Sequence, residues 1–327
     1  RNRLFLQDLS VADAPVTPFL ADGDASYDVV ANDGPLFVVV TDAGAPNKRI
    51  VAVDARDPSR DAWREIVPEQ PEALQGVSCF GDLLIVRYLR DARTVVRRFG
   101  LDGSDRGEMA LPGIGTAGGF GGRRDDPETF YAFTSYTHPT TLYRYDVATG
   151  ESSLLRAPKV AFDPDAFETR QVFVASADGT RVPLFLTHRK GLTPTGDHPV
   201  YLYGYGGFNI PLTPGFSAAA VVWMEMGGVY AVACLRGGGE YGEEWHLAGT
   251  KTRKQNVFDD FVACARWLQE QGWTRPERTA IAGGSNGGLL VGACMTQRPD
   301  LFGAAIPAVG VLDMLRFSQF TIGWAWE

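Results

Sequence analysis

Between Leu36 and Gly150 the chain repeats one arrangement of apolar and polar positions. "LFVVVTDAGAPNKRIVAVDA" from Leu36, "LLIVRYLRDARTVVRRFGLDG" from Leu83 and "TFYAFTSYTHPTTLYRYDVATG" from Thr129 each read as strand, polar turn, strand and Asp-containing turn. Their starts lie about 46 residues apart, a period typical of four-stranded propeller blades. "RLFLQDL" from Arg3 reads as the closing strand of an earlier unit. Three and a fraction blades are too few to close a ring, so further blades are expected upstream. An open β-sandwich with chance periodicity is the alternative.

Near Pro158 the pattern changes. "RQVFVASADGTRVPLFLTHRKG" predicts a hairpin turning at Asp178-Gly179, and "PVYLYGYGGF" and "GGVYAVACLRGGGEYG" each carry an apolar strand into a glycine loop. Strands alternating with helices predict a mostly parallel sheet with crossover helices. "NVFDDFVACARWLQEQG" is the clearest helix, with Asn256 expected as N-cap, Asp259 and Asp260 in the first turn and Gly272 at the C′ position. Its stripe of Val257, Phe261, Ala265 and Leu268 is expected to face the sheet. The reading divides the chain into residues 1–157, blades, and 158–327, an α/β region.

Composition narrows the function. The 327 residues are 45% hydrophobic and 21% charged, as in ordinary globular domains, and no apolar run is long enough to span a bilayer. A formal net charge of -8 with a pI near 5.1 argues against nucleic acid, which demands a clustered basic surface. Cys79, Cys234, Cys264 and Cys294 are scattered without metal-ligand spacing and are expected to be buried, reduced thiols. That favours the cytoplasm. The chain opens on Arg1-Asn2-Arg3, without an initiator methionine, so a truncated start is expected and a periplasmic or secreted location stays open.

The candidate chemistry lies in "IAGGSNGGLL". Thr279 to Ala282 predicts a strand and Leu289 onward a helix ending before Pro299, so Gly283 to Gly287 matches G-x-S-x-G between strand and helix. In that setting Ser285 is a candidate nucleophile on a strained turn, and the Asn286 amide at the helix start can donate to a developing oxyanion. A structural glycine turn is the alternative. A serine hydroxyl needs a general base, yet His138, His188, His198 and His246 all precede Ser285. Only His246 is a conceivable substitute, and a structural histidine fits it better. Asp300 and Asp313 follow the serine and are minor candidates for the triad acid, although Asp300, directly after the helix, reads better as a cap or turn residue.

Taken together, "YGYGGF", "RGGGEYGEEWH", "KQNVFDDF", "GGSNGGLLVGACMTQRPDLFGA" and "TIGWAW" resemble the prolyl oligopeptidase family of serine peptidases, across nearly all of Pro158 to Glu327. The resemblance implies an α/β-hydrolase domain preceded by part of an all-β propeller of about seven blades when complete. It implies hydrolysis of short peptides on the carboxyl side of proline, with Ser285 forming the acyl-enzyme. The Asn286 amide and the Tyr205 hydroxyl would form the oxyanion hole, and Trp326, Phe208 and Val311 the proline pocket. Packing beneath the glycine loop is the alternative for Tyr205, and a core position is the alternative for Trp326. The family's acid and histidine are expected beyond Glu327.

Neither metal nor organic cofactor is expected. The partners implied are short proline-containing peptides, with no nucleic acid or membrane, acting on a monomer. Other readings stay open: an oligopeptidase cutting after basic residues, an acylaminoacyl peptidase, or a propeller scaffold whose hydrolase half is catalytically dead.

Overall fold

The computed structural model describes residues 1–326, with the backbone alone at Trp326. Each repeat of the sequence is the middle of a four-stranded antiparallel sheet. The first comprises β3 (Tyr27–Asp33), β4 (Leu36–Thr41), β5 (Arg49–Asp54) and β6 (Arg64–Val67). The second comprises β7 (Ala73–Phe80), β8 (Leu83–Arg90), β9 (Arg93–Gly100) and β10 (Asp105–Met109). The third comprises β11 (Thr116–Gly121), β12 (Glu128–Thr134), β13 (Thr141–Asp146) and β14 (Ser152–Arg156). Ahead of them β1 (Leu4–Leu6) pairs with β2 (Thr17–Leu20), so "RLFLQDL" opens a two-stranded ribbon.

Strands β4, β5 and β8 are almost continuously apolar because both of their faces are covered, whereas β12 and β13 leave Phe130 and Leu142 exposed. Along β8, alternate side chains go to opposite sides. Leu84, Val86 and Tyr88 pack with Val38, Val40 and Ile50 of the first sheet, whereas Ile85 packs with Phe120 and Tyr131 of the third. The β1–β2 ribbon covers the outer face of the first sheet, with Phe19 and Leu20 against Val39, Val51 and Val53. Face-to-face stacking of successive four-stranded sheets is the packing of propeller blades.

The second half forms a six-stranded mixed sheet. Its strands are β15 (Phe167–Ala175), β16 (Arg181–Arg189), β17 (Val200–Gly204), β18 (Val229–Ala233), β19 (Thr279–Gly284) and β20 (Ala304–Ala308), in the order β15-β16-β18-β17-β19-β20. The hairpin turns at Asp178-Gly179 as the sequence predicts; its two strands pair antiparallel, and β16 pairs antiparallel with β18. The pairings β18–β17, β17–β19 and β19–β20 are parallel.

Helices α1 (Ala218–Glu225), α2 (Glu243–Leu247), α3 (Gln255–Glu270) and α4 (Asn286–Gln297) complete this half. On α3 the stripe Val257, Phe261, Ala265 and Leu268 is fully buried against the sheet. Each of its larger side chains contributes roughly 1.5–3 kcal/mol of apolar burial. Gly272, at φ 72°, follows the C-cap Gln271 as expected. The N-terminus differs. The helix begins at Gln255 with Lys254 as its N-cap residue, and Asn256 instead donates to the Ala248 carbonyl at 2.9 Å.

The two halves meet at the β8–β9 hairpin tip. Asp91 and Ala92 both take positive φ there, at 51° and 62°. The Asp91 carboxylate accepts from the Tyr241 hydroxyl at 2.9 Å and its carbonyl accepts from the Gln171 amide. Ala92 and Tyr136 are buried with Phe185, Val232 and Cys234 of the second half. All four cysteines are free and buried. No helix among the described residues is long and apolar enough to cross a membrane.

Candidate active site

Strand β19 delivers the chain to Ser285 and α4 starts at the next residue. Ser285 takes φ 56° and ψ −114°, a conformation that costs a non-glycine residue about 1–3 kcal/mol. Its amide donates to the Ala308 carbonyl at 2.9 Å, and its carbonyl accepts from Gly288 and Leu289 in the first turn of α4. Backbone bonds on both sides therefore hold the strained residue in place, and its side chain is exposed.

The surrounding glycines are dictated by close backbone approach. A Cβ on Gly283 would lie 2.4 Å from the Gly287 carbonyl oxygen, and one on Gly288 would lie 2.5 Å from Gly310 Cα. These contacts explain why α4 begins three residues earlier than the sequence suggests. Gly287 and Gly288 are poor helix formers, but packing against β17 and the segment after β20 requires them.

The loop after β17 lies against the same turn. A Cβ on Gly287 would sit 3.5 Å from Tyr205 Cδ2, so the tyrosine ring borders the start of α4. The Asn286 side chain is buried, and its Nδ2 donates to the Tyr205 carbonyl at 2.5 Å. As the first helical residue, Asn286 carries a backbone amide with no intrahelical acceptor. Positive partial charge gathers at that helix end, beside the exposed serine.

The remaining candidates divide. Phe208 is exposed at φ 56° in the loop after Gly207, a residue whose Cβ would meet the Asn286 side chain. Val311 is half-buried next to Gly310, which packs on Gly288. Both thus belong to segments touching the first turn of α4. The Trp326 side chain lies outside the described residues. Among the described residues, nothing hydrogen-bonds the Ser285 hydroxyl. His246 is occupied elsewhere, with Nδ1 2.8 Å from the Gly237 carbonyl oxygen and 3.1 Å from the Asn209 amide. Asp300 accepts from Arg298 and Asp313 from Arg316, as turn residues do.

Three charged residues of this half escaped the sequence reading, and one of them, Lys254, reaches the site. Arg236, at the end of the β18 apolar run, is buried and pairs with the fully buried Asp260 of α3 at 2.6 Å and with Asp178 of the hairpin at 2.5 Å. Asp260 therefore serves this pair rather than the helix dipole. A charge inside an apolar run was the available signal, since such a group must find a partner. Glu240 is buried with Oε1 accepting from the Leu212 amide at 2.8 Å, while Oε2 has no partner among the described residues. Burial pushes its pKa up to about 8. Lys254 donates to the Gly206 carbonyl and to Asn286 Oδ1.

A cleft of about 730 Å³ separates blade residues such as Asp42, Asn47 and Arg60 from Asn209, Pro211 and Gly242 of the second half. Ser285 does not line it, but Asn209 adjoins Phe208.

Comparison with known proteins agrees with this architecture. Residues 1–158 match the prolyl oligopeptidase N-terminal beta-propeller domain, and residues 214–327 match the prolyl oligopeptidase family. The chain is 44% identical over 325 residues to the prolyl endopeptidase of Elizabethkingia meningoseptica, covering 99% of this chain and 46% of that protein. It is 39% identical over 311 residues to prolyl oligopeptidase A of Amanita bisporigera, covering 93% and 41%. A solved prolyl endopeptidase structure superimposes with a TM-score of 0.90 at 46% identity, over 96% of this chain and 46% of that one. Apo prolyl oligopeptidase B from Galerina marginata gives 0.85 at 33% identity, over 99% and 47%. The chain thus spans less than half the length of these relatives.

Proposed function

The chain belongs to the prolyl oligopeptidase family, and from that premise we propose that the protein is a serine endopeptidase that hydrolyses short peptides on the carboxyl side of proline. The observation that carries this reading is the strained, exposed Ser285 held between β19 and the N-terminus of α4. Its hydroxyl attacks the prolyl carbonyl, a histidine held by its acid partner takes the proton and passes it to the leaving amine as the peptide bond breaks, and water then hydrolyses the acyl-enzyme. The Asn286 amide and the Tyr205 hydroxyl receive the developing oxyanion.

Phe208, Val311 and Trp326 form the proline pocket in this reading. Flat apolar walls suit a pyrrolidine ring, whereas a pocket for a basic side chain would need convergent carboxylates. Phe208 and Val311 both sit beside the first turn of α4, in support of that assignment. The propeller, whose blades occupy the chain up to about Pro158, covers the site and restricts entry to short peptides. The reading takes the protein as a monomer that needs neither metal nor cofactor, and the four free thiols support a cytoplasmic location.

Paired assays of the full-length protein on prolyl and arginyl peptides test the specificity. Preferential prolyl cleavage is expected, and Trp326→Ala should erode it. Faster arginyl cleavage would assign the protein to a basic-residue oligopeptidase instead.

A further inference from the structure

Lys254 stands one residue before α3 and reaches back to the glycine loop. Its ammonium donates to the Gly206 carbonyl at 2.7 Å and to Asn286 Oδ1 at 3.0 Å. The same Asn286 amide group donates from Nδ2 to the Tyr205 carbonyl at 2.5 Å. One ammonium and one carboxamide therefore link two successive carbonyls of the loop to the first residue of the helix. Gly207 makes room for this link, because a Cβ there would lie 2.5 Å from Asn286 Nδ2.

The chemistry suits lysine. Its three donors and lack of an acceptor match two carbonyl oxygens, and a planar guanidinium fork would not fit the same pair of acceptors equally well. Among the described residues Lys254 has no ion-pair partner, and partial burial alone pulls its pKa down to about 8. A positive charge without an ion-pair partner among the described residues is thus held against Asn286, the helical residue that directly follows Ser285.

We propose that Lys254 is a positioning residue for acyl transfer: it locks the Tyr205-Gly206 loop onto Asn286 so that the two oxyanion donors converge, and it lends its charge to the forming oxyanion. The inference rests on the proposed function of Ser285. Charge that develops only in the transition state is stabilised without tightening ground-state binding, so the effect belongs in kcat rather than KM.

The test compares Lys254→Met and Lys254→Arg in the full-length protein. Each is assayed with a prolyl peptide, a peptidyl-prolinal that forms a tetrahedral adduct, and the corresponding peptidyl-proline acid that does not. For Lys254→Met, kcat should fall about tenfold to a hundredfold with KM within about twofold. Affinity for the aldehyde should fall by a similar factor and that for the acid should stay unchanged, with partial recovery in Lys254→Arg. Unchanged kcat, or equal weakening of aldehyde and acid, would overturn the inference. If Lys254→Met does not fold, Lys254→Gln gives the same comparison. Ser285→Ala, run in parallel, separates the two claims. Lost turnover there beside an unaffected Lys254→Met overturns the lysine role alone, whereas retained turnover in Ser285→Ala overturns the nucleophile assignment and this inference with it.

Discussion

The side-chain amide of Asn286 donates to the backbone carbonyl of Tyr205 across 2.5 Å, joining the helix that follows the candidate nucleophile to the loop that follows β17. The two segments are 81 residues apart in sequence. This contact, with the Lys254 link beside it, ties together the two residues that carry the proposed oxyanion donors. Asn286→Ala should remove it while leaving the backbone amide in place. We expect kcat on a prolyl peptide to fall about tenfold to a hundredfold, and stability to fall by about 1–3 kcal/mol, because the half-buried loop carbonyl loses its donor. Steady-state kinetics and urea denaturation of the full-length variant check both numbers.

Asp260→Ala should be the most damaging charge removal. It would leave the buried Arg236 guanidinium with only the half-exposed Asp178 as ion-pair partner. Breaking a buried pair from one side typically costs about 3–5 kcal/mol. Removal of Asp178 should cost less, since much of that carboxylate already faces water. Chemical denaturation of the two variants under one condition gives the ranking.

Glu240 gives a pH dependence with a definite sign. Its pKa is raised to about 8 in the folded protein by burial, against an ordinary value of 4.5. The folded state therefore holds this proton more tightly than the unfolded state does. Its contribution to stability is fully present below pH 4.5 and is lost as pH rises towards about 8. Glu240→Gln keeps an acceptor for the Leu212 amide and removes the titration. We expect the variant to gain on the order of 2 kcal/mol at pH 7 and to lack the wild-type decline between pH 5 and 8, as read by urea unfolding across that range.

Gly288→Ala tests the packing of the elbow. The added Cβ would fall 2.5 Å from Gly310 Cα, a backbone atom that cannot rotate away. A loss of roughly 1–3 kcal/mol is expected despite the better helix propensity of alanine. A variant as stable as the parent would show that the segment before Val311 yields easily.

Local signals carried much of this architecture. The stripe on α3 is legible because apolar residues recur at the helical period, and the blades are legible because each central hairpin repeats the plan of strand, polar turn, strand and Asp-containing turn. The serine turn is legible because close backbone approach demands glycine on both sides of Ser285. What the sequence concealed is pairing over distance. Asn256 has the chemistry of a helix cap, but the Ala248 carbonyl claims its side chain. Asp259 and Asp260 read from the sequence as first-turn acids, but α3 starts at Gln255 and leaves both beyond its first turn, and Arg236, 24 residues before Asp260, claims that carboxylate. Lys254 carries no local mark of its contacts with Gly206 and Asn286, which only the folded chain brings within reach.

The central claim is that Ser285 is the acylated nucleophile. Its most direct measurement is peptide mass mapping of the full-length protein after reaction with a fluorophosphonate, with residual prolyl hydrolysis followed in parallel. One phosphonyl group on the peptide containing Ser285, with hydrolysis lost in proportion to labelling, is the expected result. An unlabelled Ser285 beside undiminished prolyl hydrolysis would contradict the account.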